Sequence, residues 1–237
     1  MANAQLAMLL AGKAPSAITG LYTTYKISAA GDTSHNFTSC SLGADSASQV
    51  VLVCVAIYQG NTTLTDTATV TVGGVSATKQ VSCIVSPGYT EVAAIYSVTG
   101  VTGSSVTVNV TSNVNAQKAI AVYTMQGANG ITAADTGSAT VTTGSALLSD
   151  TLTHTAGSFV VALGALMSYN NPTDYGNNTW AGLSTKDVDV EVDASNQYNF
   201  TAASQAFSAA ASNVTTSVTT PHNAGYGMAF ACAAFSA

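Results

Sequence analysis

Four carboxylates at alternate positions, Asp187, Asp189, Glu191 and Asp193, are the densest group of side chains in this chain that could do chemistry. In an extended strand, residues two apart share a face at a spacing of roughly 6–7 Å. The four acids are therefore expected to form a row, with Val188, Val190 and Val192 facing a core. A hard cation such as Ca²⁺ needs several oxygens within about 2.5 Å. That spacing favours a solvated strand face that discourages strand addition. It leaves Asp187 and Asp189, with Asp174 from a neighbouring loop, as candidate metal ligands only.

A second chemical signal is the segment from Tyr169 to Asn178, followed by Trp180. Its aromatic rings, flanked by Asn and by Asp174, could stack on sugar faces and hydrogen-bond hydroxyls. Tyr169, Asp174, Tyr175 and Trp180 are the candidate ligand contacts, set against a plain turn anchored by the Trp ring. His35, His154 and His222 lie in turn-like contexts and are expected in loops or at strand ends. There is no nucleophile elbow, HExxH, phosphate loop or dinucleotide fingerprint. No catalytic residue and no cofactor are assigned. Cys40, Cys54, Cys83 and Cys232 have neither CxxC spacing nor an adjacent His, so a zinc site is not expected. Cys54 and Cys232 read as buried thiols in apolar strands, and a Cys40–Cys83 bridge is left open.

These groups must be held by strands. From Tyr22 onward β-branched residues abound and helical periodicity is nearly absent. Strands are expected near 21–29, 49–58, 67–72, 75–82, 90–97, 105–112 and 117–126. A second set is expected near 138–143, 147–154, 158–168, 178–184, 186–192, 198–202, 213–220 and 225–235. Val50 to Ile57 is apolar at successive positions, as befits a central strand covered on both sides. Val106, Val108 and Val110 alternate with Thr107 and Asn109, which marks one buried and one wet face.

The second set repeats the first. Ser105 to Thr111 aligns with Asn213 to Thr219 at a shift of 108, Ala47 to Ile57 with Ala156 to Leu166 at 109, and Gly74-Val75-Ser76 with Gly182-Leu183-Ser184 at 108. The expected fold is all-β: two tandem antiparallel β-sandwiches, jelly-roll-like, at 20–127 and 128–237, joined near Gln126 to Gly130. Residues 1–19 form a short N-terminal docking arm. Within it, 4–11 could make a helix after an Asn3 cap, with Leu6, Leu9 and Leu10 on one face as assembly contacts. Alone such a helix is too short to be stable, so it is expected to dock.

Composition narrows the function classes. Of 237 residues, 47% are hydrophobic and 7% charged, against roughly 25% charged in ordinary soluble domains. The exterior must be built from Ser, Thr, Asn and Gly, and such surfaces suit packing against many neighbours. Five lysines, no arginine and a net charge of -6 argue against nucleic acid as a partner. Residues 1–127 balance four acids with four lysines, whereas 128–237 set seven acids against Lys186, so the second half is expected to face water. The longest apolar run, Val50 to Tyr58, is far short of the roughly 20 residues of a membrane helix. The start lacks the basic leader of a secretory signal.

With the duplication, the missing arginines and the Ser/Thr/Ala/Val strands in view, the chain resembles the small jelly-roll structural proteins of tailed bacteriophages. Val70 to Val75 (VTVGGV), Ser105 to Asn109 (SSVTVN with Ser104) and Ala119 to Gly127 (AIAVYTMQG) carry the resemblance. It implies a virion protein without an active site, exposed on the particle: a capsid decoration or cement protein, or alternatively a tail-fibre or spike protein recognising host surface glycan. The expected partners are other copies of itself, as a trimer, and the major capsid protein.

Overall fold

The computed structural model describes residues 17–44, 49–60, 64–86, 90–128, 130–142, 144–168, 177–221 and 224–237. The chain is all-β and its sheets are antiparallel. The first half holds β1 (Thr19–Ile27), β2 (Asp32–Ser41), β3 (Val50–Gln59), β4 (Thr69–Val72), β5 (Val75–Ser76), β6 (Thr78–Val85), β7 (Thr90–Val98) and β8 (Ser105–Gln126). The second holds β9 (Asp135–Val141), β10 (Leu147–His154), β11 (Phe159–Ser168), β12 (Thr179–Ala181), β13 (Thr185–Asp193), β14 (Tyr198–Ala206), β15 (Ala211–Thr219) and β16 (Ala224–Phe235).

The two halves share one strand order. In the first, an inner sheet runs β1-β8-β3-β7-β6 and an outer sheet runs β2-β8-β4-β5. In the second, the inner sheet is β9-β16-β11-β14-β13 and the outer is β10-β15-β12. Matching β1, β2, β3, β4, β6 and β7 with β9, β10, β11, β12, β13 and β14 makes the orders coincide. The two ends of β8 then match β15 and β16. Among the described strands, no ladder joins one half to the other.

β8 takes part in both sheets of its half because of its pattern of burial. Val106, Val108 and Val110 are buried while pairing with β2 and β4. Beyond Lys118 the strand pairs with β1 and β3 and is buried on both faces. At the crossing, Lys118 is fully buried: its Nζ donates to the Asp32 backbone carbonyl, to Asp32 Oδ1 at 3.0 Å and to the Ala116 carbonyl at 3.0 Å. All three ammonium protons are thus satisfied, which a buried cation requires.

Among the described residues, three apolar cores separate the sheets. Val51, Val53, Val55 and Ile57 of β3 join Val70, Val108, Val110 and Val122 between the inner and outer sheets of the first half. Leu148, Leu152, Val160, Phe230 and Cys232 do the same in the second half. The largest core lies between the two inner sheets, where Leu52, Cys54, Ile95 and Tyr123 meet Phe159, Val161, Leu163, Phe200 and Phe235. Alternate residues of β3 therefore feed two different cores, which is why Val50 to Ile57 reads as apolar throughout.

Several sequence expectations change. β2 was not anticipated and its segment carries His35, which is mid-strand, while His154 does close β10. The expected strands at 105–112 and 117–126 are one, and 75–82 divides into β5 and β6. All four cysteines are free and buried. Cys40 belongs to the core on one side of the first inner sheet and Cys83 to the core on the other, so they cannot pair. The 4–11 helix, with Leu6, Leu9 and Leu10, lies outside the described residues, as does His222.

Candidate functional site

The acidic row expected along β13 is broken by two bulges, one between Lys186 and Val188 and one between Glu191 and Asp193. Val188, Val190 and Val192 do pack against the central core. Asp187, at the first bulge, turns to the same side and accepts a hydrogen bond from Tyr123 Oη of the other inner sheet at 3.0 Å. Asp189 instead accepts from the Asn178 backbone N–H at 3.0 Å, from Asn178 Nδ2 at 2.6 Å and from Lys186 Nζ at 2.9 Å. Asp193 accepts from the backbone N–H of Ser195 at 2.8 Å and from Asn196 Nδ2 at 2.7 Å, closing the β13–β14 turn. These bonds hold the Asp193 carboxyl below its ordinary range against the opposing effect of burial. Among the described residues, no three His, Cys, Asp or Glu side chains gather as metal ligands.

Asp187 belongs to a groove of about 340 Å³ where the edges of the two inner sheets meet. Gly20 and Tyr22 of β1 line it from the first inner sheet, and Phe159, Thr185, Ser204 and Ala206 from the second. A Cβ at Gly20 would lie 2.3 Å from the Phe159 ring, so only glycine lets β1 cross that ring. Burial raises the Asp187 pKa, opposed by hydrogen bonds from Ser204 and Tyr123. Burial, with the Asp187 charge adding to it, pushes the Tyr22 phenol up to about 12. The groove thus combines apolar walls, a half-buried carboxylate and hydroxyl groups.

A short repeat places this carboxylate, and sequence reasoning missed it. Thr78-Lys79-Gln80-Val81 and Thr185-Lys186-Asp187-Val188 occupy the same register: Thr78 pairs with Ser97 and Thr185 with Ser204, and each strand bulges after its Lys. The signal was present one residue beyond the aligned Gly-Val-Ser and Gly-Leu-Ser, hidden by a single-residue deletion. In the first half Gln80 takes the place of Asp187, and the site is filled. Gln80 Nε2 donates to Ser97 Oγ at 2.7 Å, Ala133 N–H donates to Gln80 Oε1 at 2.7 Å, and Ser97 Oγ donates to the Ile131 carbonyl. Ala128, Ile131 and Ala133 pack against the central core there.

The other expected ligand contacts divide. Tyr169, Asp174 and Tyr175 lie outside the described residues. Trp180, on β12, donates its indole N–H to Thr201 Oγ1 at 3.0 Å, and its ring centroid lies 6.1 Å from that of Phe230, against the core of the second half. His35 Nδ1 sits 2.7 Å from Asp32 Oδ2, which also faces Lys118. The three side chains tie the start of β2 to the crossing of β8.

The outer sheet of the first half presents a different surface. Asn109 Nδ2 donates to Ser34 Oγ at 3.0 Å and Asn36 Oδ1 at 2.9 Å, and the hydroxyls of Thr69 and Thr111 lie 2.6 Å apart. Amides and hydroxyls satisfy one another across three strands without a charge. No helix among the described residues is long and apolar enough to cross a membrane. No protein-family model matches the chain, and no curated protein is similar to it.

Proposed function

We propose that this chain is a non-enzymatic structural protein of a virus particle, one that decorates and cements the outside of a tailed-phage head. The observation that carries the reading is the uncharged, self-bonded hydroxyl and amide face of the outer sheet. Such a face is wetted without the mutual repulsion that charged surfaces impose, so many copies can stand side by side. Two further features support it. The matching strand orders fit a tandem pair of jelly-roll-like sandwiches at 20–127 and 128–237. Trp180, a candidate ligand contact, and Asp189, a candidate metal ligand, are committed to bonds within the chain.

On this reading the arm of residues 1–19 and the first sandwich contact the major capsid protein, and the more acidic second sandwich faces solvent. Co-sedimentation with particles stripped of the protein tests this. The intact chain is expected to rebind, and a chain lacking residues 1–16 to stay in the supernatant. Undiminished rebinding of the shortened chain would refute the role of the arm.

A further inference from the structure

We infer that the Asp187 groove is a docking site for the N-terminal segment of a second copy of this chain, entered by its small residues Ala11 to Ala14. The two halves of the molecule supply the comparison. At the Gln80–Ser97 position, the bent stretch just ahead of β9 lies at the sheet edge, giving an N–H from Ala133 to Gln80 and a carbonyl from Ile131 to Ser97. Among the described residues, no such stretch is seated at the matching Asp187–Ser204 position, which only β1 and the second inner sheet line. There the residues ahead of the crossing are already zipped onto β8, with Thr19 paired to Gln126 and Gly20 to Met125. What remains between β1 and β13 is a groove of about 340 Å³ with a carboxylate in place of the amide.

The replacement of Gln80 by Asp187 changes what the site accepts. A carboxylate takes donors only and favours a cation, and Lys13 is the one charged residue of the first sixteen. Its neighbours Ala11, Gly12 and Ala14 are small enough for a groove of this size. The segment also starts at the right place. Ala17 lies against Gly157, and Ile18 N–H donates to the Gly157 carbonyl at 2.8 Å beside the groove. Sixteen extended residues reach about 50 Å, enough to span to a neighbour. Entry into its own groove would need the chain to reverse between Ala14 and Ile18, and Pro15 biases Ala14 towards extended backbone. Docking of an extended segment across strand edges is an established mode of recognition. A head-to-tail contact of this kind closes into rings or propagates, depending on the rotation between copies.

The inference concerns free chains and does not depend on which particle they build. Sedimentation velocity of the full chain across micromolar concentrations tests it. Wild type is expected to show concentration-dependent association. Ala206→Trp, which fills the groove from an exposed rim position, and Lys13→Glu, in the arm, are each expected to weaken association at least tenfold. A mixture of the two is expected to recover it, because Ala206→Trp keeps its arm and Lys13→Glu keeps its groove. A synthetic peptide of residues 1–16 should compete. A wild-type chain that stays single at every concentration would overturn the inference, as would variants that associate like wild type or a mixture that fails to recover. None of those results would bear on rebinding to stripped particles.

Discussion

Glu91 is the least comfortable residue in the molecule. It lies on β7 with 0% exposure, beside Tyr58 and facing Gly227 of β16, and neither carboxyl oxygen has a hydrogen-bond partner among the described residues. Burial pushes its pKa up to about 8. A folded-state pKa above the unfolded value means that the native state holds the proton more tightly. The contribution of Glu91 to stability is therefore greatest below about pH 4.5 and is lost as pH rises towards 8, opposite in sign to that of Asp32 and Asp193, whose pKa values are lowered. Glu91→Gln is expected to remove most of that slope and to raise stability at pH 8.5 by about 2–4 kcal/mol in urea unfolding. An unchanged slope would mean that the carboxyl is solvated in the native state. Lys118 makes the opposite case, a buried charge with every proton placed. Its counterpart by register is Met228, since Ile57 pairs with Lys118 as Leu166 pairs with Met228. Lys118→Ala is expected to cost about 3 kcal/mol, and Lys118→Met less than half of that, because the Met stem refills the space. Equal losses by thermal unfolding would show that charge rather than packing dominates the site.

Among the elements, the connection from β12 to β13 is the most constrained. Gly182 has φ +81°, and a Cβ there would lie 2.2 Å from the Thr215 carbonyl oxygen. Its counterpart Gly74 has φ +83° but nothing within 4 Å. Gly182→Ala is expected to cost about 2 kcal/mol more than Gly74→Ala, whose penalty of about 1 kcal/mol comes from backbone strain alone. Similar losses in chemical unfolding would contradict the close approach. What was legible at this scale follows from burial. The unbroken apolar run of β3 and the valine alternation of early β8 gave strands in the right places, because each position answers to a core. β2 escaped because Asp32 to Ser41 offers only Phe37 and Cys40 to the interior. The bulges of β13 escaped because alternating acids and valines look the same whether or not a strand is regular. The Asp187 groove therefore could not be read from spacing. It became visible once the Thr-Lys-x-Val repeat had a register. Gln49 and His154 are buried with no side-chain hydrogen-bond partner among the described residues, and the His154 ring instead packs on Phe207 at a centroid distance of 4.0 Å.

In the whole molecule, the two inner sheets share the largest core, so the halves are expected to unfold together. Phe200, fully buried in that core, belongs to the second half yet packs among residues of the first. Phe200→Ala is expected to cost about 3–5 kcal/mol and to lower amide protection in β3 as well as β14 by hydrogen exchange. Two separate transitions, or protection lost in the second half alone, would show that the halves stand independently. Face-to-face packing of this kind was not legible in the sequence. Covered faces on β3 and β11 require something on both sides, and alternation does not say whether that is a second sheet of the same half or the other half. The weakly charged exterior was legible, and the proposed role in a virus shell builds on it. The most direct test is the copy number of this chain per purified particle, by quantitative mass spectrometry against the major capsid protein. A capsid decoration protein is expected near parity with the capsid protein. A few tens of copies per particle would instead mark a fibre, and absence from the particle would contradict the account altogether.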